Sequence, residues 1–298
     1  TEWVVRPGYT VKAGMNYNFT KRQNAFFNVG YFSRVPYFTA LVRADNTLVR
    51  DSRNEELFSV EMGYSYRSPS FTINGNVYYT EWFNKPTSAT ITIDGEPVLV
   101  NIANMGARHM GLEVDFAWKA HKILTVEGMA SWGDWQWNRV ARGEFFNLNG
   151  EAAGEIIFDP TGVKVGDAAQ HSYALSLRFM PIKRLYLMPE INLFTHNYAD
   201  FRPEDYQVTD LETGYGPNLG RQAWRMPDYY FINLHAGYHF YIGKVRMDAR
   251  GNILNLTDGF YLTDASNNGL GGSTYNASSA TVYAGLGTRW MFSLMATF

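Results

Sequence analysis

The sequence predicts an all-β protein: a transmembrane antiparallel β-barrel wall of about 11 strands, read as the C-terminal half of a barrel of about 22 strands. Three observations predict it. Long segments alternate apolar and polar residues with a period of two. The connections between them alternate between short turns and long polar loops. No uninterrupted apolar run approaches the ~18–20 residues of a membrane helix, although 46% of the residues are apolar.

The strands show two different faces throughout. In the first, about Tyr9–Phe19, the residues Tyr9, Val11, Ala13, Met15 and Tyr17 oppose Thr10, Lys12, Gly14, Asn16 and Asn18. Near Phe58–Tyr66, the set Phe58, Val60, Met62 and Tyr64 opposes Ser59, Glu61, Gly63 and Ser65. Leu112, Val114, Phe116 and Trp118 face away from Glu113, Asp115 and Lys119. Tyr230, Ile232, Leu234, Ala236 and Tyr238 oppose Asn233, His235, Gly237 and His239. In the tenth strand, Val245, Met247, Ala249 and Ile253 stand opposite Arg246, Asp248, Arg250 and Asn252, and so charged a face suits a wet lumen. The last strand carries Trp290, Phe292, Leu294, Ala296 and Phe298 on one side.

Short turns fall at Thr20–Asn24, Ser68–Ser70, Ala120–Lys122, Met180–Arg184 and Ile242–Lys244. Long loops are expected at about Val35–Glu56, Phe83–Ala103, Val140–Ala168, Ala199–Asp228 and Asp264–Ala280. Single-chain bacterial barrels have an even strand number with short periplasmic turns. Eleven is odd, and the first strand starts on the long-loop side, hence the reading as half of a larger wall. The residues Thr1–Pro7 do not resemble a signal peptide, so an exported protein would have lost its signal or would begin elsewhere.

Composition narrows the classes. Aromatics reach 16%, with 20 Tyr, 20 Phe and 8 Trp, which suits strands and interfacial girdles. A net charge of -2 without a basic stripe argues against nucleic acid. With no cysteine there are neither disulfides nor thiolate metal sites. His235 and His239 would lie ~13 Å apart along a strand, too far to share one metal ion. The run Asp264-Ala265-Ser266-Asn267-Asn268-Gly269 begins like a calcium loop, but Tyr275 stands where a bidentate Glu is needed. Gly269–Gly272 and Gly285-x-Gly287 precede no helix, so phosphate binding is not supported. Adjacent His171 and Ser172 point to opposite faces, and His196 with Asp200, Asp205 or Asp210 makes only a loose hydrolase constellation. No catalytic residue, metal site or cofactor is expected.

Two stretches resemble the TonB-dependent receptor family. Asn104-Met105-Gly106-Ala107-Arg108-His109-Met110-Gly111-Leu112-Glu113 resembles its N-x-G-x-x-x-x-G-x-E hairpin entry. Asn252-Ile253-Leu254-Asn255-Leu256-Thr257-Asp258-Gly259-Phe260-Tyr261 resembles its N-x-x-N-L-x-D-x-x-Y motif before the last strand. Met226–Tyr230 and Tyr283–Phe298 fit the strands around it, and the closing Phe298 with Trp290, Phe292 and Leu294 resembles the signal read by the barrel-assembly machinery.

The resemblance implies a multi-pass protein of the Gram-negative outer membrane, in contact with its lipid. It implies active uptake of a scarce bulky nutrient: an iron chelate, haem, cobalamin, an oligosaccharide or a peptide. The energy would come through TonB. Residues 1–298 would be the C-terminal half of the barrel, its plug and N-terminal strands lying in the same or a clipped companion chain, with a surface lipoprotein as a further possible partner. Ligand contacts would fall on the long loops: Tyr198, Phe201, Arg202, Tyr206, Tyr215, Arg221, Trp224 and Arg225 on one, and Trp135, Trp137, Arg139 and Arg142 on another. Aromatic rings and guanidinium groups stack on and hydrogen-bond to such ligands. The same side chains also suit an interfacial girdle or packing between loops. Two other classes fit a barrel, a passive porin or adhesin and an outer-membrane hydrolase.

Overall fold

A computed structural model describes residues 5–42, 53–93, 96–146, 152–267, 278 and 280–298. Eleven strands follow one another in a single antiparallel wall. In order these are β1 (Tyr9–Thr20), β2 (Gln23–Arg34), β3 (Glu55–Arg67), β4 (Phe71–Ile93), β5 (Glu96–His121) and β6 (Leu124–Trp137), then β9 (His171–Phe179), β10 (Leu185–Thr195), β11 (Tyr229–Ile242), β12 (Val245–Leu254) and β15 (Arg289–Thr297). Among the described residues, the end strands β1 and β15 each pair on one side only. Four further strands lie off this path: β7 (Ala141–Phe146) pairs with β5 and with β8 (Ala152–Phe158), and β13 (Leu262–Asn267) pairs with β14 (Ala280–Ala284).

The register explains why alternation survives across the wall. Met15, Phe27, Met62, Val77, Leu112 and Trp132 are successive cross-strand partners, so one face is a continuous apolar band. The opposite face aligns Asn76, Glu113, Ser131 and Ser172. Most of the apolar band is exposed, including Met62, Val77, Leu112 and Trp132. A soluble sheet would cover such a face, and an uncovered one of this extent needs an apolar medium.

The polar face is knitted by amides that separate carboxylates. Asn76 Nδ2 donates to Glu61 (3.3 Å) and to Glu113 (3.2 Å), and Asn74 Nδ2 donates to Asp115 (2.7 Å). On β10, Glu190 accepts from Asn192 (2.7 Å) and from Asn233 (3.0 Å). At two glycines, one in β11 and one just past β14, an aromatic ring lies on the backbone. The rings of Tyr186 and Tyr261 occupy the space a side chain would need at Gly237 and Gly285.

The structure alters several expected loops. The expected loop Phe83–Ala103 is an extension of the β4–β5 hairpin, in which Thr87–Ile93 pairs with Glu96–Ile102 and the two arms carry the strand-favouring β-branched residues Thr90–Ile93 and Val98, Val100 and Ile102. Val140–Ala168 contains β7 and β8, and the flanks of Asp264–Ala280 pair as β13 and β14. A short helix, Phe38–Leu41, lies in the expected Val35–Glu56 loop. The last strand begins at Arg289 rather than at Tyr283. The calcium-like run continues into residues 268–277, which lie outside the described residues.

Candidate functional site

Over the long-loop end the connections fold into a cap with its own core. Val100 and Ile102 from the extended hairpin, Met105 and Ala107, and Trp137 from the top of β6 meet Ala141, Ile156 and Phe158 of the β7–β8 hairpin. Val163, Phe201, Tyr206 and Ala223 complete it. Phe201 packs edge-on against Trp137 (5.4 Å between ring centres) and Tyr206 (5.1 Å). Tyr206, in a 3-10 turn at Pro203–Tyr206, is fully buried and donates its hydroxyl to the Arg221 carbonyl (3.1 Å). A second, smaller cluster of Ala199, Met226 and Ala265, with Trp224 beside it, ties the loop to β13.

The structure therefore divides the residues expected on the loops. Trp137, Phe201 and Tyr206 belong to the interior of the cap, because their rings fill the space between hairpins. Tyr198 and Trp224 pack against the two clusters. The arginines are mostly held by carboxylates: Arg142 by Glu155 (3.0 Å), Arg202 by Glu204, Arg225 by Asp228 (3.1 Å) and Arg139 by Glu81 (3.5 Å). Arg221 donates to Asn218 (3.2 Å), and Tyr215 is exposed at the loop tip.

At the base of the cap, on the polar face, the expected Trp135 and Trp137 join Lys85, Trp82, His109 and Tyr78, which the sequence reading does not place at a site. Lys85 Nζ stands 4.7 Å from the Trp82 ring centre and 5.3 Å from that of Trp137. His109 lies between Trp82 (6.4 Å) and Trp135 (5.8 Å). Trp135 donates its indole N–H to the Tyr78 hydroxyl (2.8 Å). The indole nitrogens of Trp82 and Trp137 are buried without an acceptor among the described residues. A cation and two unused donors set among flat rings can receive an electron-rich, planar or anionic group. The signal was present in sequence as Trp82, Lys85, His109 and Trp135 but needed the β4–β5–β6 register to bring it together.

Electrostatics also mark the cap. Burial, with repulsion from Asp167, pushes the Asp200 carboxyl up to about 6. Burial likewise pushes Asp205 up to about 6. Asp264 is raised by burial in the same direction. Exposed Asp210 is lowered by hydrogen bonds from Thr213 and Glu212.

The two sequence motifs have structural work. Asn104 adopts a left-handed conformation (φ 71°) where the β4–β5 register shifts, and Glu113 accepts from Asn76. Asn255, also left-handed (φ 50°), bonds Gly259 through both its amide atoms, and its carbonyl accepts from Thr288 Oγ1 (2.7 Å). Asp258 Oδ1 accepts from the Thr288 N–H (2.9 Å), and Tyr261 stacks on Tyr229 (4.9 Å). The motif thus fastens the β12 turn to the segment that leads into the last strand. His235 binds Asn252 (2.7 Å) on the polar face. Of the hydrolase candidates, His196 packs on His171 (4.3 Å between rings) and its backbone N–H donates to Asp228 (3.0 Å).

An open antiparallel wall with one apolar face, one polar face and a capped end is the architecture of a membrane-barrel segment. Residues 6–256 match the family described as "TonB dependent receptor-like, beta-barrel", and the chain belongs to the TonB-dependent receptor family. Similar solved structures include the ferric-catecholate import receptor Fiu from Escherichia coli K12, at 15% identity over 96% of this chain and 34% of that one (TM-score 0.59). The siderophore receptor PiuA from Acinetobacter baumannii has 14% identity over 96% and 35% (TM-score 0.60). The ferric citrate transporter FecA in its unliganded form has 15% identity over 97% and 38% (TM-score 0.65). At these identities the likeness is one of fold. The chain spans roughly a third of the length of these receptors. No curated protein matches it in sequence.

Proposed function

We propose that this chain is the C-terminal half of the barrel wall of an outer-membrane receptor that takes up a scarce, bulky nutrient with energy delivered through TonB. The observation that carries the reading is the family match over residues 6–256 on a wall whose polar face leads up to a folded cap. The neighbours named for ferric chelates and siderophores favour an iron chelate as cargo. Such complexes offer planar, electron-rich and anionic groups, which suit Lys85, His109 and the indoles of Trp82 and Trp135 at the base of the cap. Tyr215, Arg139, Arg142, Arg202 and Arg225 lie at the cap surface, where first contact with a ligand would occur. A plug and the remaining strands complete the lumen and seal the two open edges.

The test is uptake by cells with and without the gene, using labelled ferric chelates beside cobalamin and an oligosaccharide. Accumulation that requires both this gene and TonB supports the reading. Accumulation that needs the gene but ignores loss of TonB would make the protein a passive channel.

A further inference from the structure

The short-turn end of the wall carries a charge pattern that the nutrient-uptake reading does not use. Five hairpins turn there, and each brings at least one cation. The β1–β2 turn has Lys21 and Arg22, and Arg67 opens the β3–β4 turn. Lys119 and Lys122 flank the β5–β6 turn, Lys183 and Arg184 lie between β9 and β10, and Lys244 between β11 and β12. All eight are exposed, and none forms an ion pair with a described residue. No Asp or Glu occurs in residues 20–23, 67–70, 119–123, 180–184 or 242–245. The opposite end differs: the loop of residues 196–228 has Asp200, Glu204, Asp205, Asp210, Glu212 and Asp228 against three arginines. In a chain of net charge -2, this is a marked separation.

Three of the five basic turns also place an exposed apolar side chain one or two residues from a cation. Exposed Phe19 precedes Lys21, and at the β5–β6 turn exposed Trp118 lies on the apolar face with Lys119 on the opposite one. Ile182 and Ile242, each 61% exposed, stand beside Lys183 and Lys244. A cation one or two residues from an exposed apolar group, repeated around an arc, fits the boundary between acyl chains and charged head groups. An acidic protein partner would explain the charge but not the apolar neighbours.

We propose that the short-turn rim binds the head groups of anionic phospholipids in the leaflet it meets, anchoring that end of the wall at a fixed depth. The inference rests on the membrane-spanning reading of the wall. It is tested on the native protein extracted from outer membranes, delipidated, and exposed to equimolar phosphatidylglycerol and phosphatidylcholine, with retained lipids counted by native mass spectrometry. Phosphatidylglycerol should be retained over phosphatidylcholine by about tenfold or more, less so as salt rises. Arg184 stacks over Tyr241 on the polar face (5.0 Å) and Lys119 shares the face of Glu113 and Asp115, so the variants leave both in place. K21Q/R22Q/K183Q and K122Q/K244Q should each reduce that ratio, and the two combined should bring it nearly to parity. Equal retention of the two lipids by the native protein would overturn the proposal. So would a preference unchanged in both variants, or one that follows a co-purifying acidic protein. A protein that stays dispersed without detergent and retains neither lipid would overturn the membrane reading itself.

Discussion

Replacing Tyr206 by alanine should open the cap without unfolding the wall. Tyr206 is fully buried, packs edge-on against Phe201, and donates to the Arg221 carbonyl. A buried tyrosine removes roughly 150–250 Å² from water, or about 4–6 kcal/mol at ~25 cal/mol per Å². Truncations of buried aromatics cost about 3–5 kcal/mol, because neighbours relax into part of the space. Tyr206→Phe keeps the ring and loses one neutral hydrogen bond, about 1 kcal/mol. The backbone around Tyr206 is tied to β8 by Asp159 N–H to the Tyr206 carbonyl (2.9 Å) and Val208 N–H to the Ile157 carbonyl (2.8 Å). Loss of the ring should therefore free residues 199–226 and the β7–β8 hairpin together. Hydrogen exchange on the membrane-embedded protein is the assay. Amides in these segments should exchange about 10²- to 5 × 10³-fold faster in Tyr206→Ala and about fivefold faster in Tyr206→Phe. Those of β10 to β12 should not change. Unchanged protection in the cap, or equal loss across the wall, would refute the assignment of Tyr206 to an independent cap core.

Three further outcomes follow from the same geometry. Asp200 titrates near 6 when folded and near 3.9 when unfolded, so the folded state holds more protons between these values and cap stability falls as pH rises through that window. The linked change from Asp200 is at most about 3 kcal/mol, and Asp205, also raised to about 6, acts in the same direction; exchange in residues 199–226, corrected for intrinsic rate, should be slower at the acidic end, and Asp200→Asn together with Asp205→Asn should remove most of the difference. Asn255→Ala deletes the side-chain bonds to Gly259 and leaves a left-handed backbone without its amide; a loss of about 2–4 kcal/mol should appear as a lower temperature for loss of heat-modifiable mobility on gels. Lys85→Met should leave that mobility intact while lowering uptake of the cargo by about tenfold or more, and normal uptake would remove Lys85 from the proposed site.

The wall was legible in the sequence because a strand's two faces repeat every two residues and membrane and lumen impose opposite chemistry on them. Trp290, Phe292 and Leu294 could be placed on the apolar face, and Arg246, Asp248 and Arg250 on the polar one, from that period alone. The eleven-strand count of the wall followed from the same signal. The motif around Asn252–Tyr261 was visible too, although its work at Thr288 and Gly285 was not.

The upper end of the molecule was decided by tertiary contacts. The hairpin extension through Thr87–Ile93 and Val98–Ile102 lies where the sequence suggests a long loop, at about Phe83–Ala103. Its pairing with β7 and its apolar contacts in the cap are what keep it extended. Trp137 and Tyr206 look the same in sequence as Trp135 and Tyr215. Only the packing of loops from different hairpins buries the first pair while leaving Tyr215 exposed. Likewise Lys21, Lys122, Lys183 and Lys244 are scattered along the chain, and it is the antiparallel order of the hairpins that brings them to one rim. Sequence by itself determined each strand's two faces through local stereochemistry. The tertiary structure decided which distant side chains share a site, because register and loop packing are set by contacts between segments far apart in the chain.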